Sequence, residues 1–283
     1  MYKFILFFLF LSFNLFVNAQ DDLLDELETN SEENIFSLPA FKAMKIGNLQ
    51  STKFAGKGDL YMYVSHRFGT VKDGVSTFFG LDNASTKIEL VYGVAKGLQF
   101  GVSRESLRKT YAASAKMKLI AQSYRFPANV VFYSTTTLNT ELDEKKYPGL
   151  KYVDRLSYAN QILVSRRFNK NLTLQLAPGF IYQNLVWEPE QQHEQYTLGV
   201  GGRYKLSRRM SLNIDYVYNF SRYNRSIYKN PLTIGVDIDT GGHVFQLLFT
   251  NAQSSNEPGF ISNAEGDWSK GNIFFGFNIV RVF

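Results

Sequence analysis

Side chains that could carry out catalysis or bind a metal are few in this chain. It has three histidines and no cysteine. His193 lies between Glu190 and Glu194, a pattern that could hold a divalent cation weakly but that is far better explained by a solvated loop. His243 could act as a base only beside a nucleophile, and no serine motif supplies one. The sequence therefore predicts no catalytic residue, no metal site, no cofactor and no enzyme, with an envelope hydrolase as a minor alternative.

The glycine run Gly199–Gly202 resembles a phosphate-binding loop only superficially. A phosphate loop joins a strand to a helix, whereas this run lies inside an alternating segment with no helical pattern after it. Glycine within a strand more simply permits close packing against the sheet. We therefore predict no nucleotide site here.

Charged side chains in the middle of alternating segments are the one group that suggests a function. Nine of them share the face that we assign to an interior: Lys87, Glu89, Lys116, Lys118, Arg167, Arg203, Lys205, Asp215 and Asp237. Lining a pore, the bases among them would favour anions. Alternatively the charges pair and fill the interior, for example through an Arg203–Asp215 salt bridge between neighbouring strands.

The elements that would position these charges are strands. In residues 209–220, Met210, Leu212, Ile214 and the aromatic residues that follow alternate with Ser211 and other polar residues. This period of two is the signature of a β-strand. Twelve such segments follow one another, at 57–68, 86–95, 97–104, 110–121, 128–138, 155–167, 172–184, 196–206, 209–219, 231–238, 243–251 and 272–283.

The connections between these segments alternate in length. Those at 96, 122–127, 168–171, 207–208 and 239–242 are short, whereas those at 69–85, 105–109, 139–154, 185–195, 220–230 and 252–271 are mostly longer. Segments of about ten residues joined in this way are typical of outer-membrane barrels, in which the short turns face the periplasm. We predict an all-β fold, a transmembrane antiparallel barrel of about twelve strands, or fourteen if residues 41–52 join the sheet.

A soluble β-sandwich is the alternative fold, and two features disfavour it. Large aromatic residues recur near strand ends, as in the girdles of a membrane barrel; they are Tyr133, Tyr182, Tyr204, Tyr216, Tyr218 and Phe220. The last segment alternates up to Phe283, a pattern similar to the signal that barrel-assembly machinery reads. In hydrocarbon every backbone amide must be paired, so the first and last strands should pair with each other.

The N-terminal 56 residues contain three different patterns. Residues 1–19 have the charged, apolar and small-residue order of a signal peptide, and we expect cleavage near Ala19; a retained anchor helix is the alternative. Residues 20–40 form an acidic leader for the periplasm, followed by a barrel domain at 41–283. The stretch 41–50 could be an extra strand, a linker or a segment folded into the lumen.

Net charge and location limit the partners. Of 31 basic and 25 acidic side chains, one base and seven acids precede residue 35, so residues 35–283 carry a charge of +12. This favours anionic surfaces or solutes, and export makes nucleic acid an improbable partner. The expected partners are outer-membrane lipids, the assembly machinery through Phe283, and a small solute.

Three C-terminal runs carry a resemblance to a known family. The sequences LGVGGRYKLSRRMSLN (198–213), GVDIDTGGHVFQLLFTN (235–251) and GDWSKGNIFFGFNIVRVF (266–283) resemble an uncharacterised outer-membrane barrel family of the Bacteroidota, a domain of unknown function. SHRFG at 65–69 and FFGLDNAS at 78–85 are similar to its N-terminal part. The resemblance implies a barrel in the outer membrane of a Gram-negative cell and brings no activity with it.

The sequence leaves two functions open. The first, which is the leading hypothesis, is a narrow pore or transporter for small, anionic solutes. The second is a non-conducting barrel that acts as a binding or scaffolding component of the envelope. Whether residues 139–154 and 252–271 fold inward as plugs bears directly on this choice.

Overall fold

The structure, a computed structural model, describes residues 40–143, 145, 147–241 and 243–283. The expected signal peptide and all of the acidic leader except Ala40 lie outside the described residues, and those predictions stay open. Within the described residues, no helix is long and apolar enough to cross a membrane.

Twelve antiparallel strands form the fold, in agreement with the twelve predicted segments. They are β1 (Leu60–Thr70), β2 (Ala84–Ala95), β3 (Leu98–Glu105), β4 (Thr110–Ile120), β5 (Asn129–Asn139), β6 (Leu156–Arg167), β7 (Leu172–Gln183), β8 (Glu194–Lys205), β9 (Met210–Asn219), β10 (Leu232–Asp239), β11 (His243–Thr250) and β12 (Phe274–Val282). Each strand pairs with its neighbours in sequence. One short α-helix, α1 (Glu257–Ser262), lies between β11 and β12.

The sheet closes on itself through the pairing of β1 with β12, as predicted. Tyr61 is opposite Val282, and the pairing continues to Thr70 opposite Phe274. The amide of Phe283 donates to the carbonyl of Leu60 at 2.9 Å, which extends the seam to the last residue. Among the described residues no strand is left with an unpaired edge, so the backbone meets the condition for spanning hydrocarbon. The alternative of fourteen strands is wrong.

The two faces of the wall have opposite polarity, with the apolar face outside. Along β9, Met210, Leu212 and Ile214 are exposed, whereas Ser211 and Asp215 are buried. A soluble sandwich would bury the apolar face. The exposed apolar band is therefore that of a membrane barrel, and the sandwich alternative is wrong.

The connections at the two ends of the barrel differ in length. One end, called here the short-turn end, has the links 96–97, 121–128, 168–171, 206–209 and 240–242. The other, called the long-loop end, has the links 71–83, 106–109, 140–155, 184–193, 220–231 and 251–273. The predicted alternation is present, although 106–109 is short for the long-loop end.

The predicted aromatic girdle is correct in part. Tyr204, Tyr216, Tyr218 and Phe220 are exposed on the outer surface. Tyr133 is only 2% exposed and points inward, so its assignment to the girdle is wrong. Its inward position indicates that the interior of the barrel contains apolar material, which the candidate site explains.

Candidate functional site

The lumen is occupied by the segment that precedes β1. Residues 40–56, called here the lumen hairpin, enter at the short-turn end, turn at Gly47-Asn48 and return to β1. The amide of Ile46 donates to the carbonyl of Leu49 at 2.8 Å, and Lys45 pairs with Gln50. Of the three possibilities left open for residues 41–50, the segment folded into the lumen is the correct one.

The apolar side chains of the hairpin pack against inward-facing apolar residues of the wall. Phe41, Ile46 and Leu49 are at most 2% exposed. The inward wall residues that share their cluster are Val131, Tyr133, Ala159, Leu163, Ala177, Ile181 and Val217. A Cβ at Gly201 would lie 2.5 Å from Ile46 Cδ1, and one at Gly199 would lie 3.0 Å from Leu49 Cδ2. The glycines of β8 therefore make room for the hairpin, consistent with the close packing predicted for Gly199–Gly202.

The polar backbone of the hairpin is bound by the charged side chains of the wall. Lys116 Nζ donates to the carbonyl of Ser51 at 3.1 Å. The carboxylate of Asp215 accepts from the amide of Asn48 at 3.0 Å. Asp237 accepts from Gln246 at 2.8 Å, and the same amide nitrogen of Gln246 donates to the carbonyl of Lys45. Groups that would face water in an open pore are thus engaged with the hairpin.

A buried ion cluster joins the hairpin to β2. Lys45 of the hairpin and Lys87 of the wall each lie 3.2 Å from the carboxylate of Glu89. The three side chains are 3%, 2% and 6% exposed. Buried charges are stable only when they are paired. Lys87 and Glu89 of the wall already form one pair, and Lys45 brings a second cation from the hairpin to the same carboxylate.

A second segment fills the lumen from the long-loop end. Residues 251–266, called here the loop plug, carry α1, which begins where Asn256 accepts from the amide of Gly259 at 2.9 Å. Glu105 anchors this segment by accepting from Ser254 Oγ at 3.0 Å and from the backbone amide of Ser255. The region 252–271, one of the two considered as plugs, thus folds inward. The part that lies in the lumen is residues 251–266.

The two segments meet inside the barrel. Gln50 of the lumen hairpin donates to Glu257 of the loop plug at 2.9 Å, and both residues are buried. Phe260, Ile261 and Ala264 of the loop plug belong to the same apolar cluster as the hairpin residues. The interior of the barrel is therefore packed from both ends.

The nine charges predicted for the interior divide into two groups. Lys87, Glu89, Lys116, Arg203, Asp215 and Asp237 are buried in the lumen. Lys118 is exposed at the short-turn end, with its ammonium 5.2 Å from the ring centroid of Phe54. Arg167 and Lys205 are half-buried at the same end, where Arg167 donates to the carbonyl of Lys170 at 3.1 Å.

The expected Arg203–Asp215 salt bridge does not form. Arg203 is opposite Asn213 in the sheet, whereas Asp215 is opposite Gly201. Arg203 Nε donates instead to Ser211 Oγ at 2.9 Å. The offset of two residues brings Asp215 to the tip of the hairpin rather than to the guanidinium.

The histidines lie apart from the interior. His66 stacks on Phe277 on the outer surface, and His193 Nδ1 is 2.6 Å from the carbonyl of Gln183. His243 lies beside Phe245 at a centroid distance of 6.1 Å. Within the described residues, no group of three or more His, Cys, Asp or Glu side chains could hold a metal ion.

The long loops are joined above the loop plug by Glu188. Its carboxylate accepts from Tyr223 Oη at 2.6 Å, from Ser226 Oγ at 2.6 Å and from the amide of Ile227 at 2.9 Å. Burial alone would raise the pKa of Glu188, but the hydrogen bonds lower it below its usual value. The bond to Glu188 raises the pKa of Tyr223 to about 12. At neutral pH this contact is therefore fully formed.

Arg222 connects these loops to the loop plug. Its guanidinium donates to the carbonyls of Ile261 at 2.8 Å and Ser262 at 3.2 Å, at the end of α1. Burial lowers the pKa of Arg222 to about 10, which still leaves it charged at neutral pH. A cation at the carbonyl end of a helix is favourable, so Arg222 stabilises α1 in the lumen.

A closed sheet with an apolar exterior and a polar inner wall defines a transmembrane β-barrel. The chain belongs to the membrane-bound β-barrel domain family DUF5777, whose model matches residues 41–283. A comparison with the curated proteins finds no match.

One solved structure supports the fold, and a second is a weaker match. The KdgM porin matches with a TM-score of 0.50 at 8% identity, covering 79% of this chain and 99% of that one. Omp33 of Acinetobacter baumannii matches with a TM-score of 0.45 at 10% identity, covering 80% of this chain and 99% of that one. The match to the KdgM porin shows that this chain is similar to it in architecture, and at 8% identity the likeness extends to the fold alone.

Proposed function

We propose that this protein is an outer-membrane barrel that is closed at rest and acts as a binding or scaffolding component of the envelope. The observation that carries the proposal is the meeting of the lumen hairpin and the loop plug through Gln50 and Glu257. A porin needs a water-filled path through the barrel, and here the inner wall bonds to protein along its length. The runner-up of the sequence analysis thus becomes the leading function.

The orientation and partners follow from the same proposal. The short-turn end faces the periplasm, as in outer-membrane barrels generally, and the long loops face outward. The chain reaches the outer membrane after cleavage near Ala19, contacts its lipids through the apolar band, and is inserted by the assembly machinery through Phe283. The C-terminal sequence runs favour a member of the Bacteroidota as the source.

Gated passage of a small anionic solute is the second candidate. It is favoured by the way in which the hairpin is held, since much of its attachment consists of hydrogen bonds from wall side chains such as Lys116 and Gln246 to its carbonyls. Withdrawal of the hairpin would expose Lys87, Lys116 and Arg203 to water. A narrow lumen with these bases would favour anions.

The uptake of small sugars by proteoliposomes tests the closed state. Vesicles with the refolded full chain are diluted into isotonic arabinose, and swelling is followed by light scattering. We expect the rate of protein-free vesicles, because no solvated path crosses the barrel. Swelling at the rate given by an equal amount of a general porin would contradict the closed state.

A further inference from the structure

A cavity opens at the long-loop end between the loop plug and the wall. Its volume is about 160 Å³. Its lining comes from the turn after β3, the end of β5, the start of β6, the loop after β7 and the loop plug. A cavity of roughly 150 Å³ is enough for benzene, so this one encloses part of a substituted six-membered ring while the rest of the ligand extends out of its open mouth.

An aromatic platform forms one side of the cavity. The indole of Trp187 is 41% exposed, and the guanidinium of Arg108 lies 4.4 Å from its ring centroid. Arg108 has φ +53° and Lys109 has φ +45°, two consecutive left-handed residues that are not glycine. Such conformations cost free energy and cluster at binding sites. Here the turn places Arg108 beside Trp187 at the mouth of the cavity.

Three acidic and two basic side chains line the cavity, a net charge of −1. Glu105 is fully engaged in anchoring the loop plug, as described above. The remaining charged side chains of the lining are Arg108, Arg155, Asp154 and Glu265, two of each sign. Arg108 lies 3.9 Å from Glu265, whose side chain is 62% exposed, so this pair is loose. An anionic ligand is therefore disfavoured here.

The rest of the lining consists largely of side chains that both donate and accept hydrogen bonds. Asn139, Gln183, Gln253 and Asn263 present amides. Gln183 donates to Asn263 at 3.0 Å, which fixes the orientation of that amide between the wall and the loop plug. Amides beside carboxylates and a guanidinium match hydroxyl groups, which also donate and accept.

We propose that this cavity binds one ring of a neutral saccharide, such as the terminal sugar of a glycan. Because the guanidinium of Arg108 covers one face of the Trp187 indole, the apolar C–H face of the sugar packs against the part of the indole that Arg108 leaves exposed. Its hydroxyls bond to Arg108, Glu265 and the amides. This inference rests on the proposed function, because it supplies the ligand class for a barrel that acts through its outer end.

Tryptophan fluorescence tests the proposal directly. The chain has two tryptophans, and Trp268 is not part of the cavity lining. Trp268→Phe therefore leaves Trp187 as the only tryptophan and serves as the reference variant. Refolded reference protein is titrated with glucose, galactose, mannose and N-acetylglucosamine. We expect a saturable change in Trp187 emission with at least one of them.

Variants assign the binding to the cavity. In the reference protein, Arg108→Ala should weaken binding by about tenfold or more, whereas Arg225→Ala, at an exposed residue outside the lining, should not. Trp187→Phe, which keeps an aromatic ring, should bind more weakly by calorimetry. Heat-modifiable migration in gels establishes that each variant is folded.

Three outcomes would overturn the proposal. They are the absence of any saturable response to neutral sugars, a response only to charged ligands, and equal binding by the Arg108→Ala variant. The swelling assay is a separate readout, so loss of closure with intact sugar binding would contradict only the proposed function. A closed barrel without sugar binding would contradict only this inference.

Discussion

Removal of both internal segments is expected to turn a closed barrel into a conducting one. The variant lacks residues 40–55 and has a short Gly-Ser connection in place of residues 252–265. Without them, the inner wall presents Lys87, Glu89, Lys116 and Asp215 to water. In planar lipid bilayers we expect discrete, stable openings from the variant and none from the full chain.

The two variants that each lack only one of the internal segments are the matched controls for this experiment. Removing only the hairpin leaves α1 in the lumen, and removing only the loop plug leaves the hairpin, so each should conduct less than the double variant. In the double variant, Lys116→Glu with Lys118→Glu should shift the reversal potential away from anions. A full chain that conducts as well as the double variant would contradict the plugged lumen.

Loss of the Glu89 carboxylate is expected to destabilise the barrel strongly. Glu89→Gln removes the anion between Lys45 and Lys87, whose ammonium groups both lie 3.2 Å from it. Breaking a buried ion pair by removing one partner costs about 3–5 kcal/mol. The midpoint of urea unfolding in phosphatidylcholine vesicles, followed by tryptophan fluorescence, should fall accordingly.

Two further variants define the cause of that loss. Glu194→Gln changes an exposed carboxylate at the start of β8 and should leave the free energy of unfolding unchanged within about 0.5 kcal/mol. The triple variant Lys45→Met, Lys87→Met, Glu89→Leu removes all three charges and should recover most of the loss, since apolar replacement of a buried ion pair is often neutral. A Glu89→Gln protein as stable as Glu194→Gln would contradict the buried cluster.

The barrel itself could be predicted from the sequence because its two determinants are local. Alternation along a strand such as β9 reports which side chains face lipid, and this depends only on neighbouring residues. The lengths of consecutive links indicate at which end of the barrel each link lies. Pairing of β1 with β12 followed from the requirement that no edge stays open.

The filled lumen could not be predicted because its determinants are spread along the chain. Phe41, Ile46 and Leu49 are too few to form a pattern, and their apolar partners on the wall come from four separate strands. One signal was present, namely inward apolar residues such as Leu163 and Val217 on faces that should be polar. In a water-filled lumen these apolar side chains would be exposed to water, whereas an apolar segment inside the lumen buries them. The sequence also could not supply the two-residue offset that separates Arg203 from Asp215.

The most direct test of the filled lumen is a cross-link between the hairpin and the wall. Thr52 Oγ1 and Ser165 Oγ lie 2.6 Å apart, close enough for a disulfide of about 2.05 Å between cysteines at these positions. The chain has no cysteine of its own, so the Thr52→Cys, Ser165→Cys variant can form only this intramolecular bond. Membranes containing it are oxidised, and the linked peptides are identified by mass spectrometry. Thr52→Cys with Val164→Cys, whose second cysteine faces outward, is the control.

The account predicts a nearly complete bond in the first pair and none in the control. A folded barrel in which the first pair stays reduced would place the hairpin outside the lumen and contradict the closed barrel.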